Sequence, residues 1–94
     1  MIVLNWTSSY KKSFKKITKN DPTLKDKIIA TMNMLQEDPF HPKLKTHKLK
    51  GILEGIWACS IEYDTRIIFD FVKNQSSDKT EILLINIGTH DEVY

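Results

Sequence analysis

The sequence is poor in cysteine, glycine and proline, with one, three and three residues respectively, and it has no long apolar run. Because a lone thiol forms neither an internal disulfide nor a thiolate-rich zinc site, Cys59 excludes both kinds of cross-link. A membrane-spanning helix needs about 20 consecutive apolar residues, whereas the apolar runs here are only as long as a strand. The N-terminus lacks the basic region and the cleavage site of a secretory signal. We therefore expect a cytoplasmic protein that is stabilised by packing.

Several catalytic motifs are missing as well. The sequence has no glycine-rich phosphate loop and no Gly-x-Ser-x-Gly motif, which disfavours nucleotide triphosphate hydrolysis and acyl transfer. The three histidines, His41, His47 and His90, do not have the spacing of a helical zinc site. We therefore predict a protein without a metal or a small-molecule cofactor.

Positive charge is concentrated in the first half of the chain. Residues 1–50 contain eleven lysines and four carboxylates, for a net charge of +7, whereas residues 51–94 contain three basic residues and eight carboxylates, for a net charge of −5. A basic half suits phosphate ligands, because its long-range field attracts them and their binding releases counterions. For any single lysine, solvation of an exposed helix face is an equally good explanation.

The hydrophobic pattern predicts one α+β domain over residues 1–94. A short alternating segment that ends at Trp6 predicts an opening strand. Thr7 or Ser8, and then Asp21, are N-cap residues that predict two consecutive helices, the second of which ends before Pro39. Three β-branched and aromatic segments follow, and they predict a three-stranded antiparallel meander. The expected architecture is one twisted sheet with the helix pair on one face.

Three local features complete this prediction. Phe40 to Leu44 is predicted to be a connecting loop, and it leads into a basic segment with Lys43, Lys45, His47, Lys48 and Lys50, which is predicted to be a lysine-rich loop around His47. The last strand is expected to end before Gly88, which would permit a sharp exit of the chain. Trp6 and Trp57 are in phase with the apolar faces of their strands, so we assign both to packing in preference to base stacking.

The remaining polar residues suit metal-free cleavage of RNA. RNA carries its own nucleophile, the 2′-hydroxyl, so an enzyme has only to orient it, remove its proton, stabilise the phosphorane and protonate the leaving oxygen. His90 and Tyr94 follow the last strand with a spacing that places both on one side of a helical turn. Arg66 is the only arginine, and its fork geometry suits phosphate oxygens. The ordinary alternatives are a backbone-bonded histidine at position 90 and a surface ion pair of Arg66 with Asp64 or Glu62.

Asp64 and His47 are further candidates. Asp64 could orient a catalytic group, although aspartate is also a common residue of hairpin turns. His47 lies within the basic segment, where it serves either as a proton acceptor or as one more solvated polar residue.

Four segments together resemble the RelE/ParE toxin superfamily and, within it, the YafQ-like branch. They are His47-Lys-Leu-Lys-Gly51, Gly55-Ile-Trp57, Asp64-Thr-Arg66-Ile-Ile-Phe69 and Ile87-Gly-Thr-His90-Asp-Glu-Val-Tyr94. The resemblance implies the toxin of a type II toxin–antitoxin system, a messenger-RNA interferase that cuts transcripts in the ribosomal A site without a metal. It also implies a cognate antitoxin protein as partner, with the ribosome and messenger RNA as targets.

By resemblance, catalytic roles fall on His90, His47, Asp64, Arg66 and Tyr94. His90 matches the terminal catalytic histidine, and Arg66 matches the arginine that stabilises the scissile phosphate. The sequence departs from the pattern at Ser60, where YafQ-like toxins carry a further histidine, and this puts the division of proton transfer in question. The lysines that we predict to contact RNA are Lys43, Lys45, Lys48, Lys50, Lys11 and Lys15.

Two other functions fit the same sequence. A ParE-like toxin shares the fold but inhibits DNA gyrase and cleaves no RNA, and such proteins generally lack the catalytic set near the C-terminus. A non-catalytic RNA- or partner-binding module would derive its affinity from the lysines of the first helix. The combination of His90, Tyr94, Arg66 and His47 favours the nuclease.

Overall fold

The computed structural model describes residues 1–51, 55–62, 64–89 and 93. Within these residues one sheet is formed by five strands, in the order β1-β5-β4-β3-β2. β1 is parallel to β5, and the other neighbouring strands are antiparallel. The predicted α+β class and the meander of the last three strands are confirmed. The strands are β1 (Leu4–Trp6), β2 (His47–Lys48), β3 (Trp57–Ser60), β4 (Thr65–Lys73) and β5 (Thr80–Thr89).

The first helix, α1 (Ser8–Thr18), begins where the N-cap pattern predicts it. Thr7 Oγ1 accepts a hydrogen bond from Tyr10 N at 3.1 Å, which satisfies one of the free amides of the first turn. The same hydroxyl donates to Leu84 O at 2.8 Å. This cap therefore also fixes α1 to strand β5.

The second helix, α2 (Pro22–Glu37), is capped by Asp21, whose side chain accepts a hydrogen bond from Leu24 N at 3.0 Å. Pro22 occupies the first helical position, where no amide donor is needed. The helix ends at Glu37, before Pro39, as expected from the restriction that proline places on the residue before it.

The main core lies between the helices and one face of the sheet. Residues at alternate positions of β4, such as Ile67 and Phe69, point towards α1 and α2 and are fully buried there. The fully buried side chains of this cluster are Tyr10, Ile28, Leu35, Leu44, Cys59, Ile67, Phe69, Ile82 and Leu84.

A second, smaller cluster lies on the opposite face of the sheet. Its buried members are Leu49, Ala58 and Ile68, and the partly buried side chain of Val93 packs against them. Val93 therefore contacts the face of the sheet that the helices leave uncovered.

Two predictions about the strands are wrong. The basic segment is not all loop, since His47–Lys48 forms β2, which pairs with β3 at Ala58 and Trp57. Two residues are too few to show an alternating pattern, and the edge of β3 provides the pairing. The last strand does not end before Gly88, because the ladder with β4 continues through it to Thr89.

The assignment of Trp6 to packing needs a correction too. Its ring contacts Tyr10 and Phe14 edge to face, with centroid distances of 5.0 and 5.1 Å, but the residue keeps 37% of its surface exposed. Because β1 is an edge strand, one side of this ring remains in contact with solvent. Trp57, by contrast, packs against the main core as predicted.

None of the helices that the structure describes is long and apolar enough to cross a membrane.

Candidate functional site

Arg66 lies near the start of β4, where it pairs with Ser60 of β3 and Gly88 of β5. One of its guanidinium nitrogens, Nη1, donates hydrogen bonds to the carbonyl oxygens of Glu62 at 2.9 Å and Thr65 at 3.2 Å. These bonds hold the half-buried side chain through a single nitrogen of a fork that has five N–H donors. A guanidinium that is oriented in this way is suited to bind an anion with its other nitrogens.

Among the described residues, Arg66 does not form the surface ion pair that was the alternative explanation for it. In that part of the chain the ion pairs join Lys27 to Glu62 and Lys73 to Asp78. The hydrogen bond from Lys27 to the Glu62 carboxylate raises the pKa of Lys27. Lys27 therefore offsets the negative charge that Glu62 would otherwise present near the arginine.

Arg66 lines a small cavity of about 270 Å³ with Lys43, Lys45, Ser60 and Glu62. Three cationic side chains from two segments of the chain line this cavity, while Glu62 is paired with Lys27. Such a cavity attracts an anion of the size of a phosphate group. Ser60, where the sequence departs from the pattern it otherwise resembles, also lines this cavity.

His47 projects from the same face of the sheet as Arg66. It pairs with Ala58, and Ser60, two residues further along β3, pairs with Arg66. Residues two apart on a strand point to one face, so both side chains lie on the side that the helices leave uncovered. From strand spacing, their Cα atoms are roughly 12 Å apart, which allows the two side chains to reach one ligand between them. His47 Nδ1 lies 2.9 Å from Lys45 O, a contact that orients the ring.

The other predicted catalytic residues are Asp64, His90 and Tyr94. Asp64 is exposed in the hairpin between β3 and β4. His90 and Tyr94 lie outside the described residues. The chain is described on both sides of His90, at Thr89 opposite Thr65 and at Val93 in the second cluster.

The six lysines that we predicted to bind RNA do not form one surface. Lys43 and Lys45 line the cavity at Arg66, whereas Lys48 and Lys50 line another cavity with Leu49. The ammonium of Lys48 lies 5.9 Å from the ring centroid of Trp57, a cation–π contact on the helix side of the sheet.

Lys11 and Lys15 line a third site, an open groove of about 520 Å³ beside α1. We call it the lysine groove, and its described lining consists of Trp6, Lys11, Phe14, Lys15, Thr18, Lys19 and Lys25. None of these residues is acidic. The sequence identified two of the four lysines, but not the aromatic side chains between them.

The whole chain matches a known family of proteins. A sequence model described as the bacterial toxin of type II toxin–antitoxin systems, YafQ, covers residues 2–94. The chain belongs to this YafQ toxin family. The resemblance inferred from the motifs is thereby confirmed, and the protein is a toxin of the type II class. No curated protein matches the chain at a significant level.

Solved structures of other toxins share the fold of this YafQ-family chain. YafQ from Escherichia coli BL21(DE3) is 16% identical, with a TM-score of 0.77 over 100% of this chain and 99% of that one. The Escherichia coli DinJ–YafQ complex gives 17% identity, a TM-score of 0.77 and the same coverage. A YoeB/ParE toxin from Agrobacterium tumefaciens is 21% identical, with a TM-score of 0.77 over 95% of this chain and 99% of that one. At these identities the match shows a common fold.

The described part of this YafQ-family toxin has no group of metal ligands but does have an aromatic cluster. Among the described residues, no group of three or more His, Cys, Asp or Glu side chains is arranged to hold a metal ion. An aromatic cluster of Phe40, Trp57 and Phe71 lies next to Lys48, and Phe40 is 57% exposed. The sequence did not predict this cluster, because its rings come from three separate segments.

Proposed function

We propose that this YafQ-family toxin is an endoribonuclease that cuts messenger RNA on the ribosome and thereby inhibits translation. The observation that carries the proposal is that His47 and Arg66 project from one face of the sheet. Lys43 and Lys45 lie beside Arg66. The set combines a proton-transfer group with cations for the phosphate, which is what cleavage by the 2′-hydroxyl requires.

The C-terminal segment completes the proposed site. Val93 packs against the cluster of Leu49, Ala58 and Ile68, on the same face as His47 and Arg66. Val93 is adjacent to Tyr94 and three residues from His90. Its packing supports a role for both residues at this face.

In the proposed mechanism Arg66 binds the scissile phosphate and stabilises the charge that develops on the phosphorane. His47 and His90 remove the proton of the 2′-hydroxyl and protonate the leaving 5′-oxygen. Asp64 orients one of the histidines, and Tyr94 contacts a base. Because Ser60 cannot transfer a proton near neutral pH, this scheme assigns both proton transfers to the two histidines.

We further propose that a cognate antitoxin holds the toxin inactive. The Escherichia coli relative was crystallised as a DinJ–YafQ toxin–antitoxin complex. The free cationic cavity at Arg66 favours an antitoxin segment that carries carboxylates.

The test is primer extension on a messenger that is translated in a cell-free system, with naked RNA in a parallel sample. The wild-type chain is compared with His90→Gln, His47→Gln and Arg66→Lys. Loss of a proton-transfer histidine is expected to lower the cleavage rate by about 10² to 10⁴-fold. Arg66→Lys keeps the charge but loses the fork, and we expect a loss of about 10² to 10³-fold.

The matched controls are Lys79→Gln and His41→Asn, which keeps an acceptor for Lys43 N at the N-cap of the short 3₁₀ helix Pro42–Leu44. Both should cut as the wild type does. Cleavage that persists in His90→Gln and Arg66→Lys would refute the catalytic assignment. Intact messenger together with inhibited gyrase would instead establish the ParE-like function.

A further inference from the structure

The lysine groove lies apart from the proposed cleavage face. It is built on the helix side of the sheet and on the edge strand β1, whereas His47 and Arg66 project from the other face. A single RNA strand held at Arg66 would have to pass around the edge of the sheet to reach it. The groove therefore suits a second ligand.

The rim of the groove is a regular row of cations. Lys11, Lys15 and Lys19 are spaced four residues apart along α1 and its C-cap, which places successive side chains about 6 Å apart on one side of the helix. Lys25, from α2, is a fourth cation. Such a row matches a chain of evenly spaced phosphates.

The floor of the groove is aromatic and already ordered. Trp6 makes edge-to-face contacts with Tyr10 and Phe14, so its ring has little freedom to lose on binding. With 37% of its surface exposed, the ring is accessible to a flat ligand. A cationic groove that contains an aromatic platform is the usual arrangement of sites for single-stranded nucleic acid.

A protein segment fits the groove less well. A helix that docks in a groove needs a stripe of apolar anchors several turns long, but the apolar floor here consists of Trp6 and Phe14. Strand addition at β1 is disfavoured too, because the backbone of Ile2, just before this strand, is hydrogen-bonded to Gln36 of α2.

We propose that the lysine groove binds an exposed single-stranded segment of ribosomal RNA, with a base stacked on Trp6 and phosphates on the lysine row. This inference rests on the proposed function, since the toxin would hold the ribosome with one face and the messenger with the other. Binding does not require cleavage, so the two proposals fail separately.

The experiment measures binding of the full chain to vacant bacterial ribosomes by co-sedimentation, and to a fluorescein-labelled 12-nucleotide oligouridylate by anisotropy. The test pair Lys15→Gln/Lys19→Gln is matched with Lys12→Gln/Lys16→Gln, which removes the same charge from α1 outside the groove. We expect about ten-fold weaker binding by the test pair, with a salt slope reduced by roughly 1.4 for two lost phosphate contacts. The control pair should stay within about three-fold of the wild type.

Trp6 is tested separately. Trp6→Leu should weaken binding of both probes about ten-fold, and Trp6→Phe, which keeps a ring, should restore most of it. In a Trp57→Phe background, oligouridylate should quench the emission of Trp6. Thermal melting of each variant identifies any loss of folding, and Trp6→Phe keeps the test valid if Trp6→Leu is unstable.

Three outcomes would overturn the proposal. Equal losses in the two lysine pairs would mean that only diffuse charge attracts RNA. Unchanged affinity in Trp6→Leu, with unquenched emission of Trp6, would exclude stacking. Tighter binding of a 12-residue Glu/Leu peptide than of oligouridylate, dependent on Trp6 and Lys15, would identify the groove as a protein-binding site.

Discussion

At the level of single residues, the contacts of Arg66 orient its guanidinium but leave its charge available to bind an anion. Its guanidinium is held by two backbone carbonyls, and neither Asp64 nor Glu62 forms an ion pair with it among the described residues. Carbonyl groups orient the fork without neutralising it. A charged group that is fixed before the substrate arrives needs little reorganisation when charge develops during the reaction.

Cys59 gives a prediction of pH dependence. Burial raises the pKa of its thiol from 9.0 to about 12, and burial also raises the pKa of Tyr10. Between about pH 9 and 12 the unfolded chain therefore binds fewer protons than the folded one, so the free energy of unfolding decreases as the pH rises.

Urea unfolding at pH 8 to 11 should show this decrease, and Cys59→Ala should have a shallower pH dependence than the wild type. Tyr10→Phe, which removes the other buried acid, should act in the same direction. If all three proteins lost stability in parallel, the buried groups would not be the cause.

At the level of elements, the two helices are started by caps of different quality. Thr7 Oγ1 bonds both the first turn of α1 and the carbonyl of Leu84 in β5. The side chain of Asp21 accepts a hydrogen bond from an exposed amide of its own helix. The first cap thus also joins a helix to the sheet, whereas the second acts locally.

We expect Thr7→Ala to lower the free energy of unfolding by about 2 kcal/mol and Asp21→Ala by about 0.5 to 1 kcal/mol. Equilibrium unfolding in guanidinium chloride measures both changes. Thr7→Ser keeps the hydroxyl and serves as the control, which should lose less than half as much as Thr7→Ala. Equal effects of Thr7→Ala and Asp21→Ala would mean that the bond to Leu84 contributes nothing.

At the level of the whole molecule, the two faces of the sheet differ in how much of their surface is buried. The face towards the helices holds most of the buried side chains, whereas the other face combines a small cluster with His47 and Arg66. A face that is only partly covered has less apolar surface to bury, and it leaves room for polar groups beside a ligand.

If the proposed cleavage site is correct, Val93 contributes both to stability and to activity. Because it is only half-buried, we expect Val93→Ala to lower the free energy of unfolding by less than about 1 kcal/mol. The same change should reduce messenger cleavage about ten-fold, because a misplaced catalytic segment loses proper orientation. Val72→Ala, a similarly half-buried valine on β4, is the control for both the melting temperature and the cleavage rate. Full activity in Val93→Ala would show that packing at this position does not align the site.

Much of the architecture could be predicted from local patterns. The caps at Thr7 and Asp21 and the apolar spacing defined both helices, and the long strands β4 and β5 were clear because alternation and β-branched residues extend over many positions. β2 was missed, since two residues carry no periodicity. Gly88 was taken for the end of β5 because its backbone preference gives no sign of the ladder with β4.

The candidate site was predicted in its residue types more than in its arrangement. Chemistry alone selected Arg66 and His47, because few side chains bind phosphate or transfer protons near neutral pH. Their common face followed from the register of β2, β3 and β4, which depends on pairings between distant segments. The sequence assigned one role to all six predicted RNA-binding lysines, since net charge does not specify the side of a sheet from which a lysine projects.

The sequence by itself determined the fold class, the helix boundaries, the toxin family and the kinds of side chain available for chemistry, because these depend on local pattern and composition. Tertiary structure decided which of those side chains meet. It separated Lys43 and Lys45, beside Arg66, from Lys11 and Lys15, beside Trp6. The physical reason is that strand pairing and helix packing join residues that are far apart in the chain, and the geometry of a site exists only once those contacts have formed.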